Sequence, residues 1–327
     1  MLTTLADIDA AATRIRAAVA RTPLVDVSAG AGRRLLLKCE NLQVAGAFKI
    51  RGAFNFITQI QDAERARGVI TYSSGNHAQA VAYAARALGS PAVVVMPETA
   101  PAVKVDGARS YGAEVILEGT TSIERKARAE SEAVRRGLAM VPPFDHPNII
   151  AGQGTVGREI LEDAPTVGTV YAPIGGGGLI AGVAAAVKLR RPTTRVIGVE
   201  PVGAAAMAAS LRAGEPITLD SVGSIADGLL PVRPGDLTFA HVRRFVDDVV
   251  TVEDDAIGRA VVWLARHAKL IVEPSGAATV AALLFGGSEL GGQVLKDAPG
   301  PDPETVAVVS GGNVSLDTIS TLVERYG

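Results

Sequence analysis

Four short segments combine residue types that can do chemistry. The first is Gly175-Gly176-Gly177-Gly178, which follows the apolar run TVYAPI and precedes LIAGVAAAVKLR. Successive glycines let backbone N–H groups converge on one anion, and a helix starting there adds positive partial charge. The segment therefore reads as a phosphate cradle; the alternative is a tight turn that only packs. It does not spell the dinucleotide fingerprint, because Ile180 stands where the third glycine would fall, and the chain has no Gly-Lys pair to form a Walker loop. The second segment, Ser73-Ser74-Gly75-Asn76-His77 after GVITY, offers two hydroxyls and a run of N–H groups at a helix start. That suits a carboxylate, or simply an N-cap without a ligand. The third is Ala47-Phe48-Lys49-Ile50-Arg51-Gly52. A lysine among apolar residues has a depressed pKa and can act as a nucleophile or carry a Schiff base, unless its head snorkels into water. The fourth, Ser310-Gly311-Gly312-Asn313 after TVAVV, puts a hydroxyl at another strand end, or is an ordinary turn.

Taken together, a phosphate cradle, a nucleophilic lysine, a carboxylate nest and a hydroxyl meet one requirement. It is an aldehyde cofactor that carries a phosphate and acts on amino acids, and pyridoxal 5′-phosphate fits.

The elements that must position these residues follow from pattern. Candidate strands are residues 34–39, 69–72, 92–96, 114–117, 169–174, 195–200, 248–251 and 305–309. Helical segments lie between them near 50–61, 76–88, 101–111, 122–136, 154–162, 179–190, 253–268 and 276–285. A further amphipathic helix is expected from Leu5, Ile8, Ala12, Ile15 and Val19. Near-continuous apolar strands alternating with helices predict a parallel sheet covered on both faces, with ligands at the strands' carboxyl ends. Segment 68–145 holds its own strand–helix units, so the expected division is 1–67 with 146–327 as a large cofactor-binding domain and 68–145 as a small mobile domain that closes on substrate. The Gly/Pro-rich stretch 286–303 reads as an exposed loop.

Composition excludes several classes. The 327 residues include 32 Lys+Arg and 34 Asp+Glu, a net charge of −2 that gives no basic excess for nucleic acid or an acidic membrane surface. Aromatic residues are 4%, too sparse for stacked-base platforms. Cys39 is the single cysteine, so no intramolecular disulfide and no multi-cysteine metal motif can form. The N-terminus has no secretory pattern, and the longest uncharged stretch, 164–187, is broken by Pro165, Pro173 and the glycines. A soluble cytoplasmic protein with no nucleic-acid and no membrane partner is expected.

The order of motifs resembles the fold-type II pyridoxal-phosphate enzymes (tryptophan synthase β-like), specifically the serine/threonine dehydratase and serine racemase family. KCENLQVAGAFKIRGAFN, SSGNHAQAVAYAA, IAGQGTVGREIL, PIGGGGLIAG, GVEP, IADGL, VEPSGA and VVSGGNVS carry the resemblance. It implies two three-layer α/β/α domains with mostly parallel sheets. Lys49 would hold the cofactor aldehyde in Schiff-base linkage, Phe48 would pack on its ring, and Asn76 would bond its 3′-oxygen. Gly175, Gly176, Gly177 and Gly178, with the Leu179 amide, would bind its phosphate, and Ser310 would face the ring nitrogen. Ser73, Ser74, Gly75 and His77 would bracket the substrate carboxylate. Lys49 would remove the α-proton, and a serine partner, which stabilises a pyridinium less than an acid would, favours β-elimination over transamination. The implied activity is a threonine/serine ammonia-lyase (dehydratase) giving 2-oxobutanoate or pyruvate plus ammonia. Serine racemisation, with Ser74 as the second catalytic group, and dehydration of 3-hydroxyaspartate or a phenylserine are the alternatives. A homodimer is the family expectation.

The sequence departs from the family pattern in places. Ala45 and Ala47 stand where many relatives carry Thr and Ser. Glu200 matches one divalent-cation ligand, but Ala206 replaces the second acid, so no divalent metal is expected, and a weaker monovalent-ion site is the alternative. Val44-Ala45 replace a nucleotide-effector Lys-Thr. About fifteen residues follow the Ser310 segment, too few for a C-terminal regulatory domain. Glu273 would lie near Ser310 and Asp227 at the domain mouth, or each is a structural carboxylate. His146, His241 and His267 are assigned surface or helix positions without chemistry.

Overall fold

The computed structural model describes residues 1–286 and 304–327. The expected loop over 286–303 lies, except for Gly286, outside the described residues.

The strands form where β-branched runs can be buried on both faces. The first eight elements are α1 (Leu5–Ile15), β1 (Leu24–Asp26), α2 (Ser28–Ala31), β2 (Leu35–Cys39), α3 (Lys49–Ile57), α4 (Asp62–Arg67), β3 (Val69–Tyr72) and α5 (Asn76–Ala87). They are followed by β4 (Ala92–Met96), α6 (Ala102–Ser110), β5 (Glu114–Leu117), α7 (Ser122–Arg136), β6 (Ala139–Met140) and α8 (Pro147–Asp163). The rest is β7 (Thr169–Pro173), α9 (Gly178–Arg190), β8 (Arg195–Pro201), α10 (Ala206–Ala213), α11 (Asp236–Phe245), β9 (Asp248–Val252), α12 (Asp254–Trp263), α13 (Pro274–Leu284), β10 (Thr305–Val309) and a last helix, α14 (Leu316–Tyr326).

Two sheets result. The larger has six strands in the order β1-β2-β10-β7-β8-β9, and the smaller has four in the order β5-β4-β3-β6. Pairing is parallel throughout except for β1, which runs antiparallel to β2. Every residue of β4, β7 and β10 is buried, as a sheet covered on both faces requires. β10 lies between β2 and β7, so the loops that follow these three strands open at one edge.

Helices α3, α8 and α9 pack closely because small residues face one another. A Cβ on Gly152 would lie 2.6 Å from the Arg51 carbonyl, and one on Gly182 would lie 2.4 Å from the Gly154 nitrogen. α3 also reaches the smaller sheet: Ile50, Ala53, Phe54 and Ile57 share a core with Val69, Val81, Val94 and Met96. The uncharged stretch 164–187 forms β7 and most of α9, and among the described residues no helix is long and apolar enough to cross a membrane.

Pattern placed most elements but missed some. α8 begins at Pro147, seven residues earlier than the sequence suggests, because a proline at its first position and the His146 side chain, accepting from the Asn148 amide, start it ahead of the glycines. The helix expected over 253–268 finishes as a π-turn, Leu264–Ala268, and Lys269 follows with φ 59°. His241 lies on a helix, α11, and is fully buried there, with Nδ1 bonded to the Leu237 carbonyl (2.7 Å) and Nε2 accepting from the Thr3 amide (2.9 Å). His267 is exposed and stacks on Trp263, with ring centroids 5.0 Å apart.

Beneath the start of α3 lies a buried charge cluster. Arg51 Nη2 donates to Glu40 Oε1 (2.7 Å) and Arg51 Nη1 to Glu159 Oε1 (2.7 Å), while Lys38 Nζ meets Glu159 Oε2 (2.6 Å). Arg51, Lys38 and Glu40 are inaccessible to solvent. Two positive and two negative charges cancel there, so each is tolerable only while the others remain. Arg51→Met should cost about 3–5 kcal/mol, because it strands buried carboxylates. Arg21→Met, which removes an exposed pair with Glu162, should cost under about 1 kcal/mol. Urea unfolding of both variants measures the contrast, and equal losses would refute it.

Candidate active site

After β2 the chain makes two 3₁₀ turns, Glu40–Leu42 and Val44–Gly46, before α3 opens at Lys49. Ala45 takes φ 60°, a left-handed setting rarely used by alanine. The turn is held from the β10 end. Ala47 bridges Gly311, the Phe48 amide donates to the Ser310 carbonyl (3.1 Å), and Asn313 Nδ2 donates to the Ala45 carbonyl (2.9 Å). The third and fourth segments of the sequence are thus stitched together directly, although as many as 268 positions separate the paired residues.

Lys49 is half-buried, and its Nζ donates to the Pro143 carbonyl (2.9 Å) and lies 5.3 Å from the centroid of the Phe48 ring. Burial pulls its pKa down to about 8. An amine in that range is partly neutral near physiological pH and therefore nucleophilic.

The tetraglycine segment joins β7 to α9 as expected. A Cβ on Gly175, Gly176, Gly177 or Gly178 would lie 3.1, 2.4, 2.9 or 3.0 Å from its nearest neighbour, the Gly228 carbonyl, the Phe144 ring, Met207 with Thr238, and Phe144 Cβ respectively. Gly177 also has φ 94°, which favours glycine alone. Thr238 Oγ1 donates to the Gly176 carbonyl (2.7 Å) and takes that acceptor up. The first amides of α9, including that of Leu179, have no intrahelical acceptor. A loop closed to side chains at a helix start with free N–H groups fits a phosphate dianion.

The Ser73–His77 segment joins β3 to α5. Ser73 and Ser74 are half-buried, Ser73 Oγ accepts from the Gly75 amide (3.1 Å), and no side chain caps α5. The first-turn amides therefore stay available to a carboxylate. His77 is buried with Nε2 against the Val141 carbonyl (3.3 Å). Burial, with the Lys49 ammonium adding to it, pushes its pKa down to about 3, so the imidazole is neutral. Ser310 is buried at the end of β10, beside the Phe48 amide that its carbonyl accepts from.

Asn76 has its amide held at both ends: Oδ1 accepts from Asn313 Nδ2 (2.9 Å) and Nδ2 donates to Glu273 Oε1. Glu273 reaches Asn76 through its carboxylate, and its amide donates to the Gly311 carbonyl (3.1 Å). Asp227, Glu273 and Lys104 converge: Lys104 Nζ lies 2.5 Å from Asp227 Oδ2 and 3.5 Å from Glu273 Oε2. Sequence reading missed Lys104, because the apolar Val105 and Ala108 mark the buried face of α6 and a lysine beside them reads as solvent-facing. It also missed Pro143 and Phe144, which act through a carbonyl and a ring against glycines; the paired glycines opposite Phe144 were the available signal.

Glu200 is fully buried, but both of its carboxylate oxygens accept backbone amides at the start of α10, from Met207 and Ala208 (2.8 Å each). Burial raises its pKa to about 7 against those bonds. Ala206 adds no side-chain oxygen, so the donor set does not suit a divalent cation.

With this geometry in view, comparison with known proteins is informative. Residues 15–311 match the family model described as pyridoxal-phosphate dependent enzyme. An L-threonine ammonia-lyase of Geobacter sulfurreducens is 45% identical over 315 residues, covering 95% of this chain and 76% of that protein. A serine racemase of Oryza sativa subsp. indica is 43% identical, covering 94% and 89%. The maize serine racemase structure superposes with a TM-score of 0.91 at 40% identity, covering 100% of this chain and 98% of that one. The chain belongs to the pyridoxal-phosphate dependent enzymes of fold-type II, in the family of serine/threonine dehydratases and serine racemases.

The lowered pKa of Lys49 has a direct consequence. In cofactor-free protein, acylation of Lys49 by an amine-directed reagent should rise with pH around a midpoint of about 8, not the ordinary lysine value of 10.5. Peptide mass spectrometry across pH 6–11 reads this, and a midpoint above about 10 would mean that the amine is solvated.

Proposed function

We propose that the protein is an ammonia-lyase that converts L-threonine and/or L-serine to 2-oxobutanoate or pyruvate plus ammonia. The observation that carries the reading is the meeting of a weakly basic Lys49, the tetraglycine loop and the hydroxyl residue Ser310 at one sheet edge. The Geobacter ammonia-lyase at 45% identity supports it.

On this reading Lys49 holds pyridoxal phosphate, Gly175 to Gly178 and the Leu179 amide take its phosphate, Phe48 packs on its ring, and Asn76 and Ser310 meet its ring oxygen and nitrogen. When bound, the cofactor supplies an aldehyde for the substrate amine and a conjugated ring that accepts the electron pair of the broken Cα–H bond. Ser73, Ser74 and the α5 amides hold the substrate carboxylate. The neutral His77 leaves that nest without a second cation, so the amides and hydroxyls orient the substrate by direction more than by charge. Lys49 Nζ, in its partly populated neutral form, takes the α-proton, and the β-hydroxyl then leaves as water with that proton returned from Nζ. Hydration of the released enamine uses one water and yields the keto acid and ammonia, so the balance closes. Ser310 cannot supply the negative charge that would hold a protonated ring nitrogen, and this favours prompt loss of the β-hydroxyl. Residues 68–145 form the smaller unit that closes on substrate, against the larger unit of 1–67 and 146–327. The reading includes a cytoplasmic homodimer.

Serine racemisation is the second reading. It needs a proton donor on the face of Cα opposite Lys49, and the half-buried Ser74 in the nest is the candidate. The rice serine racemase at 43% identity favours it.

Purified, cofactor-loaded protein should release keto acid and ammonia from L-threonine or L-serine, and Lys49→Ala should lower that rate by about 10²–10⁴-fold or more. Chiral chromatography of the L-serine reaction separates the readings. D-serine in excess of pyruvate would replace elimination by racemisation as the main activity, and Ser74→Ala should then suppress D-serine selectively.

A further inference from the structure

Lys104 belongs to α6, beside the four-stranded sheet, yet its ammonium is engaged elsewhere. It meets Asp227 Oδ2 at 2.5 Å and Glu273 Oε2 at 3.5 Å. Its aliphatic stem crosses the carboxylate nest, where a Cβ on Gly75 would lie 2.2 Å from Lys104 Cδ. Asp227 begins a 3₁₀ turn, Asp227–Leu229, that rests on the glycine cradle: the Gly228 carbonyl is the nearest neighbour of a Cβ at Gly175, at 3.1 Å. Glu273 is 1% exposed, and its remaining oxygen accepts from Asn76.

These contacts remove a freedom that an asparagine normally has. A primary amide can turn end for end and exchange its oxygen with its nitrogen. A carboxylate is an acceptor only, so Asn76 must present Nδ2 to Glu273. Asn313 Nδ2 in turn fixes the oxygen end. One N–H of Asn76 is left to donate to another group. Glu273 is an obligate acceptor only while it stays ionised; burial, with Asp227 adding to it, pushes its pKa up, and the Lys104 ammonium 3.5 Å away opposes that shift.

We propose that Glu273 and Lys104 are positioning residues: Glu273 locks the Asn76 amide with its donor toward the cofactor, and Lys104 ties that lock to the smaller unit by bridging α6 to Asp227. The inference rests on the cofactor reading above and adds a route by which seating α6 orients a cofactor contact.

The test uses the full chain and free pyridoxal phosphate. Glu273→Ala should weaken cofactor binding about tenfold, the scale of losing a hydrogen bond to a charged group, and should shift the absorbance band of the lysine-bound cofactor. Glu273→Gln, whose amide oxygen still accepts from Asn76, should regain most of that affinity. Lys104→Met should shift the band in the same direction as Glu273→Ala and raise KM for L-threonine about tenfold, with a smaller fall in kcat. Unchanged affinity and band in Glu273→Ala, with only a lower Tm, would overturn the positioning role. If Glu273→Ala does not fold, Lys104→Met decides: an unshifted band and an unchanged KM overturn the proposal. Borohydride trapping of the wild-type protein separates the two levels. Label absent from Lys49 defeats the cofactor reading itself, whereas label on Lys49 with silent variants defeats this inference alone.

Discussion

The Phe48 amide donating to the Ser310 carbonyl is the contact on which the site turns. It exists because β10 runs parallel between β2 and β7, with Val309 opposite Cys39 and Ala307 opposite Tyr171. Parallel register brings all three strands to an end at one edge. A slip of one residue would send every side chain of β10 to the other face and would break the bridge from Ala47 to Gly311. The lysine, the glycine cradle and the serine are therefore placed by backbone pairing in the sheet, before any side chain is considered.

Charge burial then separates two cations that stand two residues apart. Lys49 and Arg51 lie on one helix, and a two-residue step turns about 200° around it, so their side chains leave on opposite sides. Arg51 enters a dry cluster where, although burial opposes its charge, Glu40 and Glu159 more than compensate and raise its pKa. Lys49 meets the Pro143 carbonyl, and burial pulls it down to about 8. The same desolvation thus leaves a permanent structural cation on one side of α3 and a weakly basic amine on the other. The difference is the presence of paired carboxylates.

α3 also joins the two sheets. Its first residue stands at the edge of the larger sheet, while Ile50, Ala53, Phe54 and Ile57 pack into the core of the smaller one. From the opposite direction, α5 begins with Asn76 at the site and continues into that same core. Lys104, on α6 beside the smaller sheet, adds polar links to Asp227 and Glu273. Burial resists its charge, but Glu273 and Asp227 outweigh that and raise its pKa. The smaller sheet is thereby tied to the Lys49 edge of the larger one by apolar packing at two helix starts and by the two ion pairs of Lys104.

Strands β3, β4, β5 and β10 were legible to the residue, since each is a short apolar run bounded by glycine, proline or a charged residue. α7 was equally legible: the Thr121–Glu124 capping box starts it and the left-handed Gly137 ends it. β1 and β6, of three and two residues, carry too little pattern to be seen and exist because a neighbouring strand offers free backbone groups. α10 and α11 were likewise missed; the former is capped by Glu200 and the latter by Asp145, whose Oδ1 accepts the amides of Leu237 and Thr238 (2.9 and 3.0 Å). Neither cap sits at the N-cap position: Glu200 reaches over from seven residues upstream and Asp145 from more than ninety, so neither leaves the usual helix-start signature.

What the sequence determined by itself was the chemistry of the site: an amine, a run of amides, a hydroxyl pair and a serine, each directly after a strand, because residue type and local period are properties of neighbouring positions. What only the tertiary structure decided was which of these groups meet and in what electrostatic state. Lys49 is a weak base, Asn76 is held by Glu273, and Lys104 pairs with Asp227 and Glu273, because desolvation and long-range pairing depend on segments that lie far apart along the chain.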